Sequence, residues 1–168
     1  MRMKTEDLIT KDECLTSGEV ARTILKNKLP FYIYFLVDPF SFQIKYIGKG
    51  KKSKGKQDRC LCHFSYCEKE IGKKASWLRK LKKRNKEPLY VIWEFYGISL
   101  EDENRAYRDE KTFIDGFGRK GVDKQGTLLN KSNQLGVPLS LKTTEQFIEE
   151  AQEVHGDLYG YSQSDYKL

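Results

Sequence analysis

Six residues of this 168-residue chain have types and an order that could do chemistry together: Tyr34, Tyr46, Arg59, His63, Glu110 and Asn130. Hydrolysis of a phosphodiester requires that added negative charge be neutralised, a water be held in line and the departing oxygen be stabilised. Glu110 brings a hard carboxylate oxygen that suits Mg²⁺ (or Mn²⁺), an ion that keeps several waters and takes one or two carboxylates. Arg59 can clamp a phosphate through two parallel N–H donors. His63 follows Arg59 by four residues and so shares its face on a helix. The ordinary imidazole pKa of about 6.5 suits proton transfer. Taken singly each residue has a plainer reading: a packed strand tyrosine, a solvated arginine, a surface histidine, an exposed helix acid.

These groups need elements to carry them. Phe31 to Val37 is a continuous β-branched and aromatic run, Asp38-Pro39 marks a turn, and Phe42 to Ile47 is a second run. The pair reads as an antiparallel hairpin, with Gly48-Lys49-Gly50 stopping its second strand. In such a hairpin Tyr34 and Tyr46 can turn their phenols to one face of the sheet. Asp58 is placed to cap a helix running to about Ile71, and a second helix is expected from Ser76 to Asn85, with Trp77, Leu78 and Leu81 inward. Leu89 to Phe95 reads as a third strand. Ser99 then caps a helix through Ala106, Glu110, Phe113 and Ile114 to Gly118. Ahead of the hairpin, Ser17 to Asn27 is helical, with Ser17 as cap, Val20, Ala21, Ile24 and Leu25 as its apolar stripe, and Pro30 as its end. A further capped helix is expected from Thr144. The order of elements argues an α/β fold: a small sandwich around a short, mainly antiparallel three-stranded sheet flanked by helices. The divisions are residues 1–29 (N-terminal helical extension), 30–132 (the domain carrying the chemistry) and 133–168 (linker and short C-terminal helical module).

Charge points the same way. The chain carries +7 overall, with a pI near 9.1 and a mean hydropathy of −0.70. Between Lys49 and Lys86, fifteen Lys and Arg residues face three acids (Asp58, Glu68 and Glu70), so the remainder is net acidic. A local basic block is an electrostatic footprint whose commonest target is nucleic-acid phosphate. Lys49, Lys51, Lys52, Arg79, Lys80, Lys82, Lys83 and Arg84 are the expected phosphate contacts. No stretch approaches the ~18 apolar residues of a membrane span, and Met1 to Asp12 lacks the apolar core of a secretory signal. The expected setting is the cytoplasm of a bacterial or phage-infected cell, with no membrane partner.

The hairpin wording Tyr32-Ile33-Tyr34 … Tyr46-Ile47-Gly48 resembles the paired motif of the GIY-YIG nuclease superfamily, with the two tyrosines twelve residues apart. Later landmarks follow in order: Arg59 with His63, then Ala106, Glu110, Phe113 and Ile114 on one helix, then Leu129-Asn130. The resemblance spans about 100 residues and departs from the family name at Tyr32, where that name has Gly. The Lys-rich loop also lengthens the gap from Tyr46 to Arg59. The resemblance implies a divalent-metal-dependent DNA endonuclease. Glu110 would hold the metal, Tyr34 would orient or deprotonate the attacking water, and Tyr46 would support the phosphate or that water. Arg59 would clamp phosphate, His63 would assist proton transfer, and Asn130 would support the site by hydrogen bonding. One such site cuts one strand, so double-strand cutting requires a homodimer or two successive events. The segment from Thr143 to Ser162 is similar to a short module attached to phage and mobile-element endonucleases. Two rival readings stand beside this one. Cys60, Cys62, His63 and Cys67 are dense in zinc-ligand types, although a single helix cannot surround a tetrahedral ion. A non-catalytic nucleic-acid-binding module would use the same basic helix.

Overall fold

Strand β1, Phe31–Val37, is the middle of a three-stranded sheet, and all seven of its residues are buried. The computed structural model describes residues 1–52 and 54–131. Strand β2 spans Ile44–Lys51 and β3 spans Leu89–Tyr96; both pair with β1 antiparallel, giving the order β2-β1-β3. The helices are α1 (Ser17–Lys26), α2 (Arg59–Ser65), α3 (Lys73–Lys83) and α4 (Leu100–Phe117). The chain is thus α/β with a short antiparallel sheet flanked by helices. The expected linker and helix beyond residue 131, with the C-terminal module, lie outside the described residues.

Alternation along β1 sends two sets of side chains to opposite faces. Phe31, Ile33, Phe35 and Val37 meet Ile114, Phe117 and Ala106 of α4, while Tyr32, Tyr34 and Leu36 meet Val20 and Ile24 of α1 and Cys60 of α2. A central strand covered on both faces reads as a continuous apolar run. That is why Phe31 to Val37 shows no polar alternation. The N-terminal residues join this core: Leu15 pairs with Tyr90 of β3, and Ile9 is buried beneath the sheet's α4 face.

Several boundaries differ from those expected. Thr16, not Ser17, caps α1, accepting from the Glu19 amide while Glu19 reaches back. Leu25 falls outside the buried stripe and is exposed. Helix α2 ends at Ser65 rather than Ile71, and α3 starts at Lys73. Asp58 makes no side-chain cap bond. Most consequential, β2 does not stop at its glycines but continues through Gly48 and Gly50 to Lys51. The register explains it: Tyr34 lies opposite Gly48 and Tyr32 opposite Gly50. A Cβ on Gly48 would sit 2.5 Å from the Tyr34 hydroxyl, and one on Gly50 would sit 2.1 Å from Cζ of Tyr32. Glycine here makes room for two tyrosine rings to lie across the neighbouring strand.

Candidate active site

Tyr34 crosses β2 over Gly48, and its hydroxyl arrives 2.6 Å from Nε2 of His63 on α2. Tyr46, on the same face of β2, sets its ring edge-on to His63 with centroids 4.9 Å apart, and 6.3 Å from the ring of Tyr34. The other imidazole nitrogen, Nδ1, is 2.6 Å from Nζ of Lys74 on α3. Lys74 in turn pairs with Glu70 at 3.1 Å and lies 4.9 Å above the Tyr46 ring. Three side chains expected from separate elements, Tyr34, Tyr46 and His63, thus share one buried cluster, and Lys74 and Glu70 join it unannounced by the sequence.

Glu110 arrives from the opposite side. Helix α4 packs on the other face of the sheet, and positions 103, 107 and 110 fall on one side of it. All three engage Lys49: its backbone N–H donates to Glu110 at 3.0 Å, its ammonium donates to Glu103 at 2.8 Å, and it lies 4.0 Å over the Tyr107 ring. The Glu110 carboxylate therefore reaches the outer edge of β2 at the Lys49 amide, one peptide from the glycine that Tyr34 crosses. The two approaches meet at Gly48-Lys49. Arg59, at the start of α2, is close enough for its charge to act on Tyr34, Tyr46, His63 and Glu110. It is the link between the two faces.

Burial and charge set the protonation states. Burial pushes the Tyr34 phenol well above its ordinary pKa, Tyr46 adds to the effect, and Arg59 opposes it. Burial, then Lys74 and Arg59, push His63 down to about 3, so the ring is neutral at physiological pH. Burial raises Glu110 against the lowering pull of the Lys49 amide and of the Lys49 and Arg59 charges. A desolvated carboxylate of this kind gains from a nearby cation. Glu110 alone is a poor cage, and among the described residues no three His, Cys, Asp or Glu side chains cluster to hold an ion. One carboxylate is nevertheless what a largely hydrated Mg²⁺ takes from a protein, so the donor set fits that ion and no tighter one. The thiols diverge: Cys60 touches the Tyr32 hydroxyl at 3.8 Å, Cys62 the Gln57 carbonyl at 3.3 Å, and Cys67 joins Leu78 and Leu81. Tyr34 and Lys74 already occupy both ring nitrogens of His63.

Asn130 sits on the same strand edge, where its carboxamide accepts from the Ile47 amide at 3.2 Å and donates to the Ile47 carbonyl at 2.8 Å. Together with the bond from the Leu129 amide to the Lys45 carbonyl at 2.7 Å, it satisfies an edge that would otherwise present open backbone groups. Its part is to hold the strand that carries Tyr46 and Gly48.

The expected phosphate contacts divide. Lys49 and Lys52 are corrected: the Lys49 side chain is 8% exposed against a 2% exposed Glu103, and Lys52 is buried with its ammonium on the Asn27 carbonyl. Lys51 is half-buried and faces the Phe31 ring. Arg79 holds the carbonyls of Cys67 and Glu70 at 2.7 and 2.8 Å and so braces the turn between α2 and α3. Lys80, Lys82, Lys83 and Arg84 are exposed, with Arg84 stacked on Phe40. A cleft of about 550 Å³ opens beside the cluster, lined by Tyr46, Arg59, His63 and the cations Lys69, Lys73, Lys74 and Lys131. Those four lysines were not singled out by sequence; their signal lay in the local excess of charge, which names no residue.

Comparison with protein families, with characterised proteins and with solved structures returned no match for this chain. Among the described residues, no helix is long and apolar enough to cross a membrane.

Proposed function

We propose that the chain is a GIY-YIG-type endonuclease that hydrolyses DNA phosphodiesters with one divalent cation, Mg²⁺ or Mn²⁺, held at Glu110. The observation that carries this reading is the meeting of Tyr34 and Glu110 at Gly48-Lys49 from opposite faces of the sheet, with the Arg59 charge acting on both. Burial of the Glu110 carboxylate is only partly offset by the Lys49 amide and the Lys49 and Arg59 charges, and Tyr46, Arg59 and His63 of the cluster line an open cleft.

The cleft supplies the phosphate path, because Arg59, Lys69, Lys73 and Lys131 line it while its one acid, Glu70, is paired with Lys74. Arg59 clamps the scissile phosphate and neutralises charge as it builds. Tyr34, ionised by loss of its own proton to solvent, holds the attacking water and takes its proton as the water oxygen bonds to phosphorus and the bond to the leaving oxygen breaks. The leaving oxygen takes a proton from solvent. Tyr46 and His63 fix that phenol, and Asn130 fixes the strand beneath it. A cation at Glu110 supplies Lewis-acid stabilisation of phosphate charge and a local field that favours an ionised nucleophile.

Supercoiled plasmid incubated with the purified chain tests the reading. Conversion to nicked circles in Mg²⁺ but not in EDTA, abolished by Glu110→Ala with DNA binding retained, is the expected result. A protein that binds DNA and cuts nothing in Mg²⁺ or Mn²⁺ is a binding module instead.

A further inference from the structure

His63 has two ring nitrogens, and in its neutral form one carries a proton while the other can only accept. Which one it is follows from its neighbours. Lys74 Nζ is held by the Glu70 carboxylate at 3.1 Å and the face of the Tyr46 ring at 4.9 Å, two partners that attract an ammonium and would give a neutral amine little. An ammonium has three donors and no acceptor. Its 2.6 Å contact with Nδ1 therefore makes that nitrogen the acceptor. The proton of the neutral ring is left on Nε2, which lies 2.6 Å from the Tyr34 oxygen.

We propose that Lys74 is a positioning residue that locks His63 as the Nε2–H tautomer, so that His63 donates to Tyr34 and cannot act as a base. The consequence for catalysis rests on the nuclease reading; the tautomer itself does not. The Nδ1 lone pair is occupied by Lys74, and in this tautomer the Nε2 lone pair belongs to the ring π system and accepts no proton. His63 is then no acceptor for the water proton. That proton passes to the Tyr34 oxygen as its phenolate, the phenol's own proton having been released to solvent before the step. Donation from Nε2–H stabilises that oxygen as an anion, against the burial that raises its pKa. A phenol so raised is also the stronger base once ionised. His63 is thereby moved from the proton-transfer role to that of a donor. The groups facing His63 are Tyr34, Tyr46, Lys74 and Arg59; those facing Lys74 are Glu70, Arg59 and Lys131.

The chain has two histidines, His63 and His155, so long-range ¹H–¹⁵N spectra of the imidazoles of the full chain are simple to assign with a His155→Ala variant. The expected spectrum has the His63 proton on Nε2, unchanged from pH 8 to pH 5. A proton on Nδ1, or a doubly protonated ring at pH 6, would overturn the proposal. In Lys74→Met the Nδ1 resonance should move and kcat on plasmid should fall about 100-fold with little change in KM. Lys74→Arg, whose side chain also only donates, should restore both in part. Unchanged ring resonances and rate in Lys74→Met would also overturn it. If the wild type shows Nε2–H yet cuts no DNA, the nuclease reading fails and the tautomer assignment stands.

Discussion

Gly48 is the residue on which the site depends most for space. Replacing it with alanine puts a methyl group 2.5 Å from the Tyr34 hydroxyl, so the ring must leave its place over β2 and with it the contact to His63. Gly48→Ala should cost about 1–3 kcal/mol, as overpacking does, and should lose most cleavage, measured by urea unfolding and plasmid nicking. The double variant with Tyr34→Phe should unfold at nearly the same urea concentration as Gly48→Ala. Without its hydroxyl the ring still clashes, through the carbon that carried it. His63 makes a second prediction. Its folded pKa of about 3 lies below the unfolded value of about 6.5. Between those limits the unfolded chain binds more protons, so stability from this group is complete above about pH 6.5 and falls as pH drops. The slope reaches at most about 1.4 kcal/mol per pH unit. His63→Gln should flatten the loss of stability between pH 6.5 and 4 relative to wild type; parallel curves would mean that the ring is not held neutral.

At the scale of elements, α4 and β2 are joined through Lys49. Its amide, its ammonium and the space above it engage Glu110, Glu103 and Tyr107, three residues on one side of the helix. Removing one member of a buried ion pair leaves the other uncompensated, at about 3–5 kcal/mol. Lys49→Met should therefore destabilise the fold strongly, and Lys49→Met with Glu103→Leu should recover part of that loss in the same unfolding measurement. A mild effect of Lys49→Met alone would place its ammonium in solvent. None of this could be read along the chain, because Lys49 and Glu103 are 54 residues apart and a lysine after a strand looks like a surface charge. The glycines misled for a related reason. Gly48 and Gly50 signal a strand end locally, and only the cross-strand register with Tyr34 and Tyr32 makes them strand interior. By contrast, β1, β3, the Ser99 cap and the face of α4 carrying Ala106 and Ile114 were legible, since capping and periodicity are local. The shared face of Arg59 and His63 was legible too; the turn that brings Lys74 to His63 was not.

Among the described residues, positive charge collects in the cleft with Lys69, Lys73 and Lys131 beside the cluster, and on the exposed side of α3 with Lys80, Lys82, Lys83 and Arg84. Each phosphate neutralised contributes about 0.9 to the slope of log affinity against log salt for duplex DNA. Glutamine at the three cleft lysines should lower that slope by about 2 to 3 units and slow cleavage. Glutamine at the α3 set should lower the slope while leaving the rate at saturating DNA nearly intact. A slope untouched by the cleft substitutions would route the DNA elsewhere. On the proposed function, the phenol crossing Gly48 serves the chemical step and not the grip on DNA. Single-turnover cleavage by wild type and Tyr34→Phe, with affinity measured separately in Ca²⁺, tests it most directly. The expected rate of Tyr34→Phe is lower by about 100-fold or more, with affinity nearly unchanged. A Tyr34→Phe protein that cuts as fast as wild type would contradict it.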